Sequence, residues 1–315
     1  MLLSFYMQKK VTFVLIIVKP HYMQIQHLRH SEIDFERWDV IIAQSKNQLG
    51  YAYSWYLDIV SPGWEALVSN NYEFVMPLPV KRKFGIPYIV QPILTQQLGV
   101  FSALETTHEI IQFFIKKIPY YSYEINLNEG NFNKNIIPLP NYVLNLNESY
   151  ESIAKRYSKN TIRNIVKTQK EGLVLRNNLN IIDFIDFYNS VDKKFISINS
   201  GVLKKLLERA IEKKAINLMA VENKNNEIIA ALCLFQTGNR LVYLLPISNH
   251  EGKKSSAMFM LVDYLIKSRA QSNLNLDFEG SLIDGIARFY KGFGAKNHPY
   301  YLLKRFRPTL LIGKL

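Results

Sequence analysis

Apolar and polar positions alternate most regularly between residues 215 and 305. AINLMAVE at 215–222 and EIIAALCLFQ at 227–236 read as strands joined by the polar turn Asn223, Lys224, Asn225 and Asn226. Thr237, Gly238 and Asn239 turn the chain into a third strand, LVYLLPI at 241–247. Phe259, Val262, Leu265 and Ile266 then recur at helical spacing, which predicts a helix over 256–270. A strand at 274–278, a helix at 283–293 and a last strand at 300–305 complete the series. In that second helix Ile286, Phe289, Tyr290 and Phe293 share one face. Three antiparallel strands followed by helix, strand, helix and strand predict a mixed sheet, because a strand–helix–strand step sets strands parallel. Such a sheet must splay, and Pro246, with no N–H to give, marks a place for it or simply ends its strand.

The first half follows the plan more loosely. Strands are expected at 65–69 and 72–79, around an Asn-Asn turn, and at 88–91 and 121–127. Ile110, Ile111, Phe114 and Ile118 predict an amphipathic helix over 106–117. The chain thus reads as two α/β units, 23–150 and 151–315, with the boundary near 145–150 and the active site in the second. Residues 1–22 read as a leader, disordered or begun at a start assigned too far upstream, with a cleaved signal as the alternative. Its apolar run, 11–18, falls short of the roughly 20 residues that span a bilayer. No integral membrane anchor is expected elsewhere.

Charge adds a partner question. Lys plus Arg outnumber Asp plus Glu by 39 to 26, a formal charge of +13. This fits an anionic partner such as nucleic acid, phosphate or a membrane, or merely a lysine-rich proteome. Cys233 is the only cysteine, which precludes an intrachain disulfide and fits a reducing cytoplasm. It lies mid-strand, there is no G-x-S-x-G, and no His or Cys spacing suits a metal. Neither a metal site nor a covalent nucleophile is expected.

The densest chemistry lies in NLDFEGSLIDGIARFYKGFGA, 275–295. Asp277 and Glu279 should share one side of the strand end, with Phe278 on the other. Ligands of such sheets collect at the carboxyl ends of parallel strands, where a tuned carboxylate can act as a base. Capping the next helix is the competing role. Arg288 follows Asp284 by one turn and can pair with it. Upstream, Lys155, Lys159, Arg163 and Lys167 form a basic stripe beside an apolar face of Ile162, Ile165 and Val166. The stripe can bind phosphate or carboxylate groups, or simply be solvated. SWYLDIVSPGW at 54–64 and QPILTQQLGVF at 91–101 gather aromatics and amides, suggesting either a lined cleft or plain packing.

This order of elements resembles the GNAT N-acyltransferase fold, and DFEG…GIARFYKGFGA resembles the signature of its FemAB/FemX-like tandem branch. YSKNTIRNIVKTQKEGL at 157–173 is similar to the basic helix that opens the second domain in that branch. The resemblance covers residue 23 to the end. It implies two GNAT-like domains in tandem and transfer of an acyl group from an activated donor to an amine by direct attack. Asp277 or Glu279 would orient the acceptor or take its proton. Tyr290 would protonate a leaving thiolate, a task suited to a phenol of pKa about 10, or else be a packing tyrosine. Lys253, Lys254, Ser255 and Ser256 would hold the donor phosphate, with Arg288 and Lys291 binding anionic groups. Trp55, Tyr56, Gln96, Gln97, Lys159 and Arg163 would contact substrate. Two departures bear on the donor. The segment NHEGKKSS at 249–256 has one glycine where CoA-binding relatives have a glycine-rich phosphate turn. The interval 158–215 is too short for the helical hairpin arm of tRNA-dependent Fem transferases. Acyl-CoA is therefore the expected co-substrate, with a small-molecule or cell-wall-type amine as acceptor. Aminoacyl-tRNA as donor, and a non-catalytic binding protein, are the alternatives.

Overall fold

The computed structural model describes residues 23–134, 136–192 and 198–305. The expected leader, 1–22, lies outside the described residues. The first half comprises β1 (Ile25–Leu28), α1 (Phe35–Gln44), α2 (Ser54–Val60), β2 (Glu65–Ser69), β3 (Val75–Leu78), β4 (Val80–Lys83), β5 (Ile86–Val90), α3 (His108–Lys116), β6 (Tyr123–Leu127), β7 (Ile137–Leu139) and β8 (Tyr142–Asn145). The second comprises α4 (Tyr150–Ala154), α5 (Lys159–Lys170), β9 (Val174–Asn177), α6 (Ile181–Ser190), α7 (Ser200–Glu212), β10 (Ile216–Glu222), β11 (Ile228–Thr237) and β12 (Arg240–Ser248). It ends with α8 (His250–Lys254), α9 (Ala257–Arg269), β13 (Asn275–Asp277), α10 (Asp284–Gly292), β14 (Lys296–Asn297) and β15 (Tyr300–Arg305). The expected mixed α/β architecture is present.

The described strands form sheets ordered β1-β2-β3, β4-β5-β6-β15-β7 and β14-β8-β13-β12-β11-β10-β9. The two larger sheets exchange strands. β15, last in the chain, lies antiparallel between β6 and β7, where Tyr301 and Leu303 join the first-half core. β8 instead pairs with β13, where Tyr142 and Leu144 join the core of the second sheet.

β11 explains the near-continuous apolar run of its sequence, since both of its faces are covered. Ala231, Cys233 and Phe235 face the core shared with the first half, whereas Leu232 and Leu234 face the core under α9 and α10. The splay expected near β12 is built in two steps. Cys233 pairs with Leu245 and Leu234 with Tyr243, so Leu244 is the extra residue of a β-bulge. On its other side, β12 pairs parallel with β13 only from Arg240 to Val242. Beyond that point, among the described residues, β12 has no strand partner on that side.

One helix is oriented against its pattern. The apolar face of an amphipathic helix ordinarily turns inward. On α5, Ile165 is partly covered, but Thr161 and Thr168 are the buried residues, and Ile162 and Val166 stand 49% and 43% exposed. The N-cap explains the orientation. Ser158 Oγ accepts from Thr161 N and shares a 2.9 Å hydrogen bond with the Thr161 hydroxyl, while Ser158 N donates to Gly292 O at the end of α10. Among the described residues, no helix is long and apolar enough to cross a membrane.

Candidate active site

Where β12 and β13 part, a cavity of about 350 Å³ lies between the start of α9 and the face of α10. Tyr243, Pro246 and Ser248 of β12 line it, facing Met258 and Phe259 of α9 and Ile286, Phe289 and Tyr290 of α10. The wall is mostly apolar, as ligand pockets are. Tyr290 is buried, its ring stacked on Phe278 at 4.9 Å. Burial, and then the charges of Glu279 and Asp277, raise its hydroxyl pKa above the ordinary value, so it stays protonated at neutral pH.

The expected phosphate segment reaches this cavity only in part. Lys253 and Ser256 line it, whereas Lys254 and Ser255 do not. Residues 250–254 form α8, where three of the backbone N–H groups in and just after the helix are already bonded. Gly252 N donates to Asn249 Oδ1, Lys253 N to Asn249 O, and Ser255 N to Glu251 O. Ser255 Oγ turns back to Glu251 O at 2.8 Å. Gly252 is a packing glycine, because a Cβ there would stand 2.1 Å from the Ile229 carbonyl oxygen of β11. Ser256, at φ 65°, leaves α9 without a side-chain cap and donates its own hydroxyl to Asn164 of α5. Among the described residues, the backbone N–H groups of Ala257 and Met258 in the first turn of α9 therefore meet no acceptor.

The two carboxylates part company. Asp277 is only 1% exposed and belongs to an ion pair, accepting from Arg240 Nη1 at 2.7 Å. Its other oxygen accepts from Glu279 N at 2.9 Å. Arg240 also pairs with Glu129, which follows β6, so Asp277 is held as a structural anion rather than presented as a free base. Glu279 leaves the strand alternation at φ 59°, while Phe278 points into the second core. Tyr51, from the first half, donates its hydroxyl to Glu279 Oε1. Burial pushes the Glu279 carboxyl up to about 8, opposed by the Tyr51 hydrogen bond and assisted by the Asp277 charge. Gly280 allows the turn, since a Cβ would meet the Pro140 carbonyl oxygen at 1.9 Å and Gln96 Nε2 at 3.1 Å.

The first-half residues meet this strand end by a polar relay. Gln96 Nε2 donates to Asn141 Oδ1, Gln97 Nε2 donates to Gln96 Oε1, and Glu129 N donates to Gln97 Oε1. Tyr56 stacks on Phe235 at 5.2 Å and donates its hydroxyl to Leu94 O, with Trp55 edge-on to the same ring. Of the expected residues, Lys253, Ser256 and Tyr290 line the cavity, whereas Asp277, Glu279, Gln96, Gln97, Trp55 and Tyr56 lie outside it. Arg288, Lys291, Lys159 and Arg163 are exposed and do not line the cavity. No ion pair joins Arg288 to Asp284 among the described residues. Lys291 sits over the Tyr142 ring, and Arg163 bonds Asn160. Burial pushes the Cys233 thiol up to about 12, which keeps it unreactive at neutral pH. Sequence reasoning passed over Tyr51, Arg240 and Glu129. Of these, only Arg240 left a signal, as a lone cation opening an otherwise apolar strand.

No protein-family model matches the sequence, and no curated protein does. Solved structures are similar in fold. FemX shares 11% identity at a TM-score of 0.62, covering 88% of this chain and 97% of its own. A conserved protein of unknown function from Bacteroides thetaiotaomicron has 10% identity and a TM-score of 0.54 over 87% of this chain and 97% of its own. L-PGS from Bacillus licheniformis has 11% identity and a TM-score of 0.50 over 85% and 90%. The chain therefore has a FemX-like fold, as the 275–295 motif led us to expect.

Proposed function

We propose that the protein is an acyltransferase that moves an acyl group from an activated carrier in the β12–β13 cavity to an amine. One observation carries this reading: Tyr290 lines the cavity and stacks at 4.9 Å on Phe278, the residue that precedes Glu279 at the strand end. The amine nitrogen attacks the acyl carbonyl and gives its proton to Glu279. The carbon–heteroatom bond to the carrier breaks, and the electron pair leaves with the carrier. Unpaired backbone groups along the free edge of β12 suit a developing oxyanion. Tyr290, which stays protonated, hydrogen-bonds the departing atom rather than surrendering its proton readily.

An acyl-CoA thioester is the donor of first choice, with Lys253, Ser256 and the first turn of α9 taking its phosphates. The acceptor is a small-molecule or cell-wall-type amine. The bonds already made by Gly252 N, Lys253 N and Ser255 N favour a second reading, in which the donor carries no pyrophosphate and is an aminoacyl-tRNA. In either case units 23–150 and 151–315 act as one GNAT-like pair. The test is thiol release from a panel of acyl-CoAs with a panel of amines, run beside transfer from charged tRNA. Release that depends on Glu279 supports the thioester reading. Transfer from tRNA alone replaces it, and no transfer from either donor favours a binding protein.

A further inference from the structure

We propose that the outer face of α5 and the loop entering α10 form a docking surface for an anionic lipid bilayer. At about 100° per residue, Ile162, Val166, Lys159, Lys170 and Arg163 fall within one wedge of α5 about 100° wide. All five are exposed. The wedge faces away from Thr161 and Thr168, so aliphatic and cationic side chains are presented together, with no element of the described residues over them. α5 carries no acidic residue between Lys159 and Lys170.

A second apolar cluster lies beyond the cavity. Leu282 is 78% exposed, and Ile283 and Ile286 are also exposed. The two clusters bracket the cavity described above. α5 borders it through Asn164, bonded to Ser256, and through Lys167, whose Nζ donates to Lys254 O. α10 borders it through Ile286, Phe289 and Tyr290.

Chemistry selects the occupant. A basic helix that also exposes aliphatic side chains suits an interface where cations meet lipid phosphates and apolar groups enter the acyl boundary. Nucleic acid would use the same cations with aromatic stacking platforms and would gain nothing from Ile162, Val166 or Leu282. The formal charge of +13 adds long-range attraction to an anionic surface.

The experiment is co-sedimentation of the full chain with vesicles of phosphatidylglycerol in phosphatidylcholine, against phosphatidylcholine alone, with no acyl donor present. Binding should require phosphatidylglycerol and weaken as salt rises. The double variant Ile162→Glu, Val166→Glu and, separately, Leu282→Glu should each lower partitioning by about tenfold. Their melting temperatures should stay unchanged, because these side chains are exposed. Two independent variants keep the test decisive if one of them misfolds. Equal binding to both vesicle types, binding unaffected by the glutamates, or no vesicle binding would overturn the proposal. Retention of tRNA without vesicle binding would overturn it in favour of RNA. Each of these results leaves the Glu279 chemistry standing, since transfer is measured separately.

Discussion

At the scale of single residues, Glu279 carries the sharpest expectations. Replacing it with Gln keeps the hydrogen bond from Tyr51 but removes the base, and transfer should fall by about 10²–10⁴-fold. With donor in excess, kcat/KM should rise with pH and reach half its plateau near the carboxyl's pKa of about 8. The groups facing it are Tyr51, Asp277, Tyr56, Tyr290 and Tyr300, and all four tyrosines have hydroxyls raised above their ordinary pKa. They stay neutral at that pH, so a single rising limb is expected. In Tyr51→Phe the lowering hydrogen bond is lost, and the midpoint should move to higher pH. A midpoint that moves down, or a profile unchanged in Glu279→Gln, would remove Glu279 as the base. The same group has a stability consequence. Folding raises this carboxyl from 4.5, so between about 4.5 and about 8 the folded chain holds the extra proton. Stability should therefore decline across that window and level off above it.

At the scale of elements, two contacts join pieces distant in sequence. Arg240 opens β12 and holds Asp277 at the end of β13, as well as Glu129 after β6. Arg240→Met leaves Asp277 buried and unpaired, at a cost of about 3–5 kcal/mol measurable by urea unfolding. A cost near zero would mean that the pair positions nothing. Gly252 seats α8 on β11 at backbone distance. Gly252→Ala should cost about 1–3 kcal/mol by forcing the helix off the strand. Gly285→Ala, which meets nothing within 4 Å, serves as the tolerated control. The elements themselves were largely legible in the chain: α9 and α10 lie within a residue or two of the periodicity that announced them. The outward face of α5 was not legible, because periodicity identifies an apolar face without saying what covers it.

At the scale of the molecule, the exchange of β8 and β15 makes the halves depend on each other. Cutting the chain between Leu146 and Tyr150 leaves the first half without β15 and the second without β8. Each fragment alone should be insoluble or unfolded, and co-expression should restore a complex that melts as one unit. Independent, cooperative melting of either fragment would show that the exchanged strands are dispensable. The exchange also explains how first-half residues reach the end of β13, with Tyr51 and Gln96 brought against Glu279 and Gly280.

The amino-acid sequence alone determined the order of the main elements from 215 to 305, the mixed sheet, the parting of the chain beside β12 and the acid-rich strand end, because each follows from local periodicity and turn chemistry. It also carried the motif by which the FemX-like fold was foreseen. Only the tertiary structure decided that Asp277 is paired with Arg240 while Glu279 sits half-buried against a tyrosine. A carboxylate's pKa depends on which groups long-range packing sets beside it and on how much water that packing removes. The same holds for α8, where the single glycine of the expected phosphate segment proved to be the contact that lets a helix rest on a strand.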